Sequence, residues 1–365
     1  WSWRFIMSDF RIDKITNRAG DTGTQIAGIT TFSGTSGMVM PKGSSDNRGG
    51  RGRAVYAGGY SPGASPYALS SVMNYVEIAT TGNASDFGDM TQTKTGMGNA
   101  SSSTRGFIMG GRSAHPNTHT SRIEYVTFSS KGDGTDWADL VYGDEGGLAR
   151  GAGCSDQTRG IYYGGYIGGS APAYTMPAKG SGRQVEAINM ASTGKVEFFG
   201  DQFFGRYSMP GVASPTRGVF LGGIAGPTSP NSNVIDYVTI QTMGDGLDFG
   251  DLSAGRRLFG ACSNTTRGIT GGGMQPSDVD TMEYITIAST GNALDFGNLL
   301  SAAKKNMAAG TLTRGVWAGG YASPIAINVI QYVQIASTGN ATDFGDLTQP
   351  KDNGIGLSDA HGGLG

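Results

Sequence analysis

"RGVWAGGY" (314–321), "IQYVQI" (330–335) and "ASTGNATDFGDL" (336–347) follow one another in the sequence, and similar phrases recur along the chain in the same order. The arginine that opens the first phrase marks six copies, which begin 52, 54, 58, 50 and 47 residues apart. These arginines are Arg53, Arg105, Arg159, Arg217, Arg267 and Arg314. A repeat of about 50 residues is typical of the four-stranded blades of a β-propeller, whereas helical solenoids have shorter, helix-rich units.

Each copy is predicted to form four strands, A to D. Strand A is the run of small residues before the arginine, such as "LFGACS" (258–263), and strand B is the phrase that the arginine opens. In strand C, such as "IDYVTI" (235–240), Ile235 and Val238 face opposite sides because side chains alternate along a strand. Strand D is the "DFGDL" end of the third phrase. Both sides of strand C are largely apolar, as expected for a sheet packed between two neighbouring sheets.

The two ends of the repeat region predict a closed ring. No strand A precedes the first copy, but "DNGIGLSDAHGG" (352–363) aligns with "ARGAGCSDQTRG" (149–160). The last strand A would therefore complete the first blade, and closure leaves few free strand edges. We expect an all-β protein with a six-bladed propeller of four-stranded blades over residues 51–365 and an extended N-terminal arm over residues 1–50.

The order of the strands resembles the kelch repeat over residues 53–363: a small-residue strand, an apolar strand ending in Gly-Gly, a tyrosine-containing strand, and an aromatic near the blade end. The wording of the repeats is similar to propeller repeats in structural proteins of tailed bacteriophages. Residues 10–43 resemble leader segments that precede receptor-facing modules in such proteins. The resemblance implies a virion protein on the capsid or tail surface, as a fibre, spike or decoration component.

The composition argues against helical, nucleic-acid-binding and membrane-spanning proteins. The 63 glycines disfavour helices, since each glycine in a helix interior costs up to about 1 kcal/mol relative to alanine. The net charge of −2 gives no reason to expect nucleic acid or an anionic membrane as a partner. No apolar run reaches about 18 residues, so no membrane span is predicted. Cys154 and Cys262 fall at matching places in different repeats, and we expect them to be buried and not joined by a disulfide.

Few residues suggest catalysis or metal binding. His115 and His119 are four residues apart, but Pro116 breaks any helix that would align their rings. In the repeated turn, Asp343 and Asp346 supply too few oxygens for Ca²⁺, which takes six to eight. We interpret the turn as structural, and we expect the repeated arginines to tie each blade to the next. No catalytic residue, metal or cofactor is predicted.

The copies differ most in the B–C and D–A connections, which should emerge together on one face because strand direction alternates. A diversified loop face on a rigid scaffold is typical of a recognition module. Tyrosine and phenylalanine rings suit stacking on the sugars of a host-surface glycan, or contact with a protein. The candidate ligand-binding residues on this face are Arg112, His115, His119, Tyr166, Tyr174, Arg183, Phe203, Arg206 and Tyr207.

Residues 1–50 lack the repeat, and we expect them to attach to other virion proteins as an added strand or extended arm. A linker packed under the propeller is the alternative, and the sequence is also consistent with a homo-oligomer. Two other functions stay open: a cellular surface lectin or adhesin, and a glycan-active enzyme. The enzyme would need a cluster of acids on the loop face, where Asp144, Glu145 and Asp278 are scattered along the sequence.

Overall fold

The computed structural model describes residues 31–33, 37–39, 52–61, 68–114, 118–141, 148–167, 183–192, 194–225 and 231–364. The chain divides into two compact units, Trp1–Asn47 and Arg48–Gly365. In the first unit, strands Thr31–Ser33 and Gly37–Val39 form an antiparallel pair. The rest of the predicted N-terminal arm lies outside the described residues. The second unit contains six four-stranded antiparallel sheets arranged as a six-bladed propeller, which confirms the predicted fold class.

The blades follow one another along the chain, and each contains strands A to D in that order. Blade 1 comprises Ile355–Ser358, Arg53–Ala57, Val72–Glu77 and Ser85–Asp89. Blade 2 comprises Gly98–Ser101, Arg105–Met109, Arg122–Thr127 and Thr135–Asp139. Blade 3 comprises Ala152–Ser155, Arg159–Tyr163, Gln184–Asn189 and Val196–Asp201.

The second half of the ring repeats the same order. Blade 4 comprises Gly211–Ala213, Arg217–Leu221, Val234–Thr239 and Leu247–Asp251. Blade 5 comprises Gly260–Ser263, Arg267–Gly271, Thr281–Thr286 and Leu294–Asn298. Blade 6 comprises Met307–Gly310, Arg314–Ala318, Val329–Gln334 and Thr342–Asp346.

The ring closes as the sequence predicts. The C-terminal strand of blade 1 pairs with its strand B, and Leu357 lies opposite Val55. A 3-10 helix, Gly362–Leu364, follows this strand. The described part of the chain contains no helix with the length and apolarity needed to cross a membrane.

Short strand pairs extend several B–C and D–A connections at one end of the blades. They are Tyr60–Ser61 with Ala68–Leu69, Arg112–Ala114 with Thr118–His119, Leu148–Ala149 with Tyr166–Ile167, and Tyr321–Ala322 with Ile325–Ala326. We call this end the loop face. The opposite end, which carries the A–B and C–D turns, is the turn face.

The core lies between adjacent blades, and strand C contributes to it from both sides as its apolar pattern predicts. Ile235 and Val238 are both buried, each in a cluster shared with a different neighbouring blade. Burying one such side chain stabilises the fold by roughly 1.5–3 kcal/mol. At the axis the A strands approach so closely that a Cβ on Gly153 would lie 1.8 Å from the backbone oxygen of Asn99. The small residues of strand A are therefore required by the innermost packing.

The repeated turn between strands C and D covers the edge of the preceding blade. At the contact between blades 4 and 5, the backbone N–H groups of Gly291 and Ala293 donate to the carbonyls of Phe249 and Asp251. The side-chain oxygen of Asn292 accepts from the N–H of Asp251 at 3.0 Å. Asn or Asp accepts the equivalent bond at four other contacts, through Asn83, Asp133, Asp245 and Asn340. The turn thus protects a strand edge, which supports its structural interpretation.

The repeated arginines reach the next blade, as the sequence analysis expects. Arg217 Nη1 donates to the carbonyl of Ile287 at 3.1 Å, and Arg314 Nη1 donates to that of Ile78 at 3.0 Å. Arg53, Arg159 and Arg267 make the equivalent bonds. The prediction that these residues tie the blades together is confirmed for these five arginines. The Arg105 guanidinium lies over the Tyr125 ring, 4.8 Å from its centroid.

Buried ion pairs join adjacent blades at three places around the ring. Each joins a cation in a D–A connection to an acid on strand C of the next blade. The pairs are Lys94–Glu124, Arg206–Asp236 and Arg256–Glu283. Between blades 5 and 6 the equivalent positions carry Ala303 and Gln331, so that contact is uncharged on both sides. Between blades 6 and 1, the buried Lys351 at the equivalent position faces Asn74 and donates instead to the carbonyl of Val72 at 2.6 Å. Each of these buried cations therefore has an acid or a carbonyl as its partner, as burial of an ion demands.

Candidate functional site: the loop face and the channel mouth

The B–C and D–A connections meet on the loop face, as predicted. The residue after each Gly-Gly pairs with a residue of the neighbouring D–A connection, as Tyr60 does with Asp352 and Arg257 with Met274. The equivalent pairs in the other blades are Thr95–Arg112, Ala149–Tyr166, Tyr207–Ile224 and Lys304–Tyr321. These bridges hold the variable connections around the central axis.

Six residues of the D–A connections form a closed ring of backbone hydrogen bonds around the axis. They are Gly96, Arg150, Ser208, Leu258, Lys305 and Asn353. Each N–H donates to the carbonyl of the preceding member; for example, Ser208 donates to Arg150 at 2.8 Å and Lys305 to Leu258 at 2.6 Å. All six have positive φ angles, between 56° and 62°. We call this set the mouth ring.

The positive φ angles of the mouth ring are a left-handed backbone conformation, which glycine adopts without strain but other residues do not. Gly96 meets the requirement, but the other five members are not glycine, and a left-handed conformation costs roughly 1–3 kcal/mol for each such residue. Ring hydrogen bonds offset part of this strain. Strained backbone of this kind is concentrated at functional sites, so the five side chains at the axis are candidates for a role beyond folding.

A cavity of about 110 Å³ opens at the mouth ring and is lined by all six of its members. Ser208 is 8% exposed, and its hydroxyl has no hydrogen-bond partner among the described residues. An unpaired buried hydroxyl costs about 1–3 kcal/mol. Since this hydroxyl has almost no accessible surface, it is enclosed in the wall of the cavity beside Arg150.

Arg150 and Lys305 face each other across the mouth, since three steps separate them around a ring of six. Lys305 Nζ lies 3.4 Å from Asp352 Oδ1 and within 5.6 Å of the Tyr60 and Tyr321 ring centroids. No member of the mouth ring is acidic. The mouth ring therefore contains two basic residues, of which Lys305 pairs with Asp352.

The position of His119, at the edge of the mouth, lowers the pKa of its side chain. It lies on the short strand Thr118–His119, opposite Arg112, and is half-buried. Burial, together with the positive charges of Arg112 and Arg150, lowers the pKa of His119 to about 4. The histidine is therefore neutral at pH 7.

At its other end the channel is filled by the C-terminal segment. His361 is held between two hydrogen bonds: its Nε2 donates to the carbonyl of Ser101 at 2.8 Å, and its Nδ1 accepts from the N–H of Gly363 at 3.1 Å. This arrangement requires a neutral ring. Burial lowers the pKa of His361, which favours the same form. A smaller cavity of about 50 Å³ lies above it, among the A strands.

The structure corrects the placement of two predicted ligand residues. Arg206 is fully buried, where it pairs with Asp236 and donates to the carbonyl of Gly222 at 2.6 Å, so it cannot contact a surface ligand. Tyr207 is 7% exposed and packs with Ala149 and Ile224. Both side chains are buried beneath the D–A connection that follows blade 3, and their contacts stabilise that connection.

The other predicted candidates are distributed around the loop face. Arg183 Nη2 donates to the carbonyls of Gln202 and Phe203, at 2.8 and 2.6 Å, and so positions the connection after blade 3. The Phe203 side chain is 45% exposed. Tyr166 lies in strand Tyr166–Ile167, and His115 and Tyr174 lie outside the described residues. Arg112 and His119 lie at the edge of the mouth, apart from Phe203.

Arg150, Ser208 and Lys305 are not among the residues predicted from the sequence. They occupy one equivalent position in three repeats. Because this position holds a different residue type in every blade, it is not visible as a repeated residue. Alignment of the D–A connections on the preceding apolar residue, such as Leu252 or Leu299, is the signal that could have found it.

Both cysteines are buried and reduced, as expected. Burial raises the pKa of the Cys262 thiol to about 12. Cys154 has a thiol pKa that is raised for the same reason. Across the described ranges, no group of three or more His, Cys, Asp or Glu residues is placed to hold a metal ion.

Comparison with known proteins adds no assignment. A scan against models of protein families found no match for this sequence, and a search of curated proteins found none either.

Proposed function

We propose that the protein is an exposed structural component of a tailed-bacteriophage particle, acting as a fibre, spike or decoration. Residues 1–50 attach it to other virion proteins, and the loop face recognises a host-surface glycan or a neighbouring subunit. It acts as a binding module and not as an enzyme. The kelch-like repeats and their likeness to phage structural repeats support the virion location.

The contrast between the two faces is the observation that carries this proposal. On the turn face the same Asn- or Asp-mediated bond recurs between successive blades, for example at Asn292 and Asn340. On the loop face, equivalent positions carry unlike side chains on an unchanged backbone, as in the mouth ring. A repeated scaffold that varies most at one face is suited to present a specific surface.

Exposed aromatic side chains near blade 3 support a glycan as the ligand. Phe203 and Phe204, in the D–A connection that follows blade 3, are 45% and 46% exposed. Aromatic rings are amphipathic contact surfaces that suit stacking on the apolar faces of sugar rings, and these two phenylalanines are adjacent in the sequence.

Location is tested by immunogold electron microscopy of purified particles, with an antibody against the propeller. We expect label at a fixed place on capsid or tail. Particles without label, with the protein free in solution, would contradict the virion role.

Recognition is tested separately by binding of the full chain to a glycan panel. Substitution of Phe203→Ser together with Phe204→Ser should weaken binding, whereas Leu294→Ser is the matched control. Leu294 is 58% exposed, but it lies on strand D of blade 5. Equal loss in both variants, or no binding by the unaltered chain, would contradict glycan recognition by this surface.

A further inference from the structure

We propose that the turn face docks onto an acidic protein surface through three arginines, Arg217, Arg267 and Arg314. This inference rests on the proposed function, because it names the surface that meets the virion protein to which residues 1–50 attach. The loop face then points away from the particle.

An ion pair inside blade 1 shows what these arginines are able to bind. Glu77 lies opposite Arg53 on strand C, and Glu77 Oε1 accepts from Arg53 Nε and Nη2, at 2.9 and 2.6 Å. The residues that lie opposite Arg217, Arg267 and Arg314 are Thr239, Thr286 and Gln334. None of the three carries a carboxylate, so in blades 4 to 6 the propeller supplies no acid for the edge of the guanidinium group that binds Glu77 in blade 1.

This edge of each guanidinium group is accessible and fixed in position. Arg267 Nη1 donates to the carbonyls of Ile335 and Ala336, at 3.2 and 3.0 Å, and its guanidinium group lies over the Tyr284 ring, 4.6 Å from the centroid. Arg217 and Arg314 make both of these contacts in their own blades. In all three arginines, Nε and Nη2 have no hydrogen-bond partner among the described residues, and neither group is buried. A planar pair of N–H donors held in this way suits a carboxylate.

The C–D turns beside these arginines are uncharged. Each arginine lies against the turn of the next blade, and residues 288–293, 336–341 and 79–84 contain no acid or base. We call the three arginines and these turns the arginine sector. The equivalent turns of blades 2 to 4 contain charged residues: Lys131, Asp133, Lys195 and Asp245. Within the described part of the chain no ion pair neutralises an arginine of the sector, so an acidic partner would complement its charge.

Exposed leucines beside the arginines favour a protein as this partner. Leu247 and Leu294 lie opposite the stacked tyrosines, Tyr237 and Tyr284, and are 53% and 58% exposed. A protein surface that combines carboxylates with apolar side chains would cover both the arginines and the leucines. A nucleic acid or a free phosphate would pair with the arginines but leave the leucines in water.

The chain enters the propeller beside the arginine sector. The carbonyl of Gly52 accepts from the N–H of Ile78 at 2.7 Å, and Arg314 donates to the carbonyl of the same isoleucine at 3.0 Å. The entry point therefore lies on the turn face, next to Arg314. A virion protein bound by residues 1–50 is tethered near the sector, which raises its effective concentration there.

The test adds the missing carboxylates. Thr239→Glu, Thr286→Glu and Gln334→Glu reproduce the Glu77 arrangement and occupy the three arginines without removing any of them. Binding of the full chain to a soluble copolymer of glutamate and tyrosine is measured by calorimetry. We expect each substitution to weaken binding about two- to fivefold, and the triple variant to weaken it at least about tenfold. Added salt should weaken binding by the unaltered chain.

The matched control is Thr127→Glu, which adds the same charge opposite Arg105 in blade 2, outside the arginine sector. We expect it to change binding less than about twofold. Thermal melts of each variant identify any loss of folding. Should the triple variant fail to fold, Thr286→Glu alone still decides.

The outcomes separate this inference from the proposed function. Label on particles, with copolymer binding unchanged in the triple variant, would overturn the turn-face site and leave the virion role standing. Binding that the triple variant loses, by a protein absent from every particle, would support the acid-binding surface and contradict the virion role. Equal weakening by Thr127→Glu would assign the effect to total charge and refute the sector. Binding of polydeoxythymidine without binding of the copolymer would overturn the choice of a protein partner.

Discussion

The Asp236→Asn substitution tests how the blades are held together. Asp236 and Arg206 are both fully buried between blades 3 and 4, and Tyr163 Oη also donates to Asp236 Oδ2 at 2.7 Å. Neutralising the acid leaves the Arg206 charge buried without its counter-ion. Breaking a buried pair in this way costs about 3–5 kcal/mol, a large part of the 5–15 kcal/mol that stabilises a typical protein.

The matched variant removes both charges at once. Arg206→Met combined with Asp236→Asn makes this contact uncharged, as Ala303 and Gln331 make the contact between blades 5 and 6. Replacing a buried pair by groups of similar volume is often close to neutral, so we expect the double variant to lie within about 2 kcal/mol of the original. The free energy of unfolding is measured by urea titration with tryptophan fluorescence. A double variant as unstable as Asp236→Asn alone would refute the pairing argument.

Three further predictions concern the turn, the mouth ring and the channel plug. Asn292→Ala should lower the free energy of unfolding by about 1 kcal/mol, because the Asn292 side chain no longer accepts a hydrogen bond from the N–H of Asp251. Lys195→Ala, at the equivalent place in blade 3, is the control and should change this free energy little. Equal effects of the two variants in urea titration would contradict the role of the turn. Leu258→Gly should stabilise the fold by up to about 1 kcal/mol, because glycine adopts the φ of 56° without strain. Leu258→Val should destabilise the fold, because a β-branched residue fits this φ poorly. Melting temperatures of the two variants that change in the same direction would contradict the argument from strain. Because burial lowers the pKa of His361, the neutral form stabilises the plug above the ordinary histidine pKa of about 6.5, and this contribution is lost as pH falls. Amide exchange at Gly362–Leu364 should therefore accelerate, relative to its intrinsic rate, from pH 7.5 to pH 5, and His361→Gln should remove the dependence; an unchanged pH dependence in that variant would assign it to another group.

The repeat carries the fold because each phrase meets a local physical requirement. The period of about 50 residues, the alternating apolar residues of strand C and the unmatched C-terminal strand A together determine six blades and their closure. The strand patterns are local signals, the repeat period and the unmatched last strand are long-range ones, and both agree with the strand pairing around the ring.

The candidate site could be predicted only in part, because its side chains depend on partners distant in sequence. Arg206 resembles a loop cation in the sequence, but it is buried because Asp236 lies on the next blade. Arg150 and Lys305 become members of one hydrogen-bonded ring only when the D–A connections close around the axis. The loop face itself was predictable from the lengths of its connections, whereas its charged centre was not.

Hydrogen–deuterium exchange of the full chain, alone and with a glycan from the panel that it binds, tests the central claim most directly. The account predicts slower exchange in the D–A connections of the loop face, at residues 94–97, 148–151 and 206–209, with the C–D turns unchanged. Protection confined to the turn face, at residues 130–134 and 289–293, or no protection at any described residue, would contradict the claim that the loop face is the recognition surface.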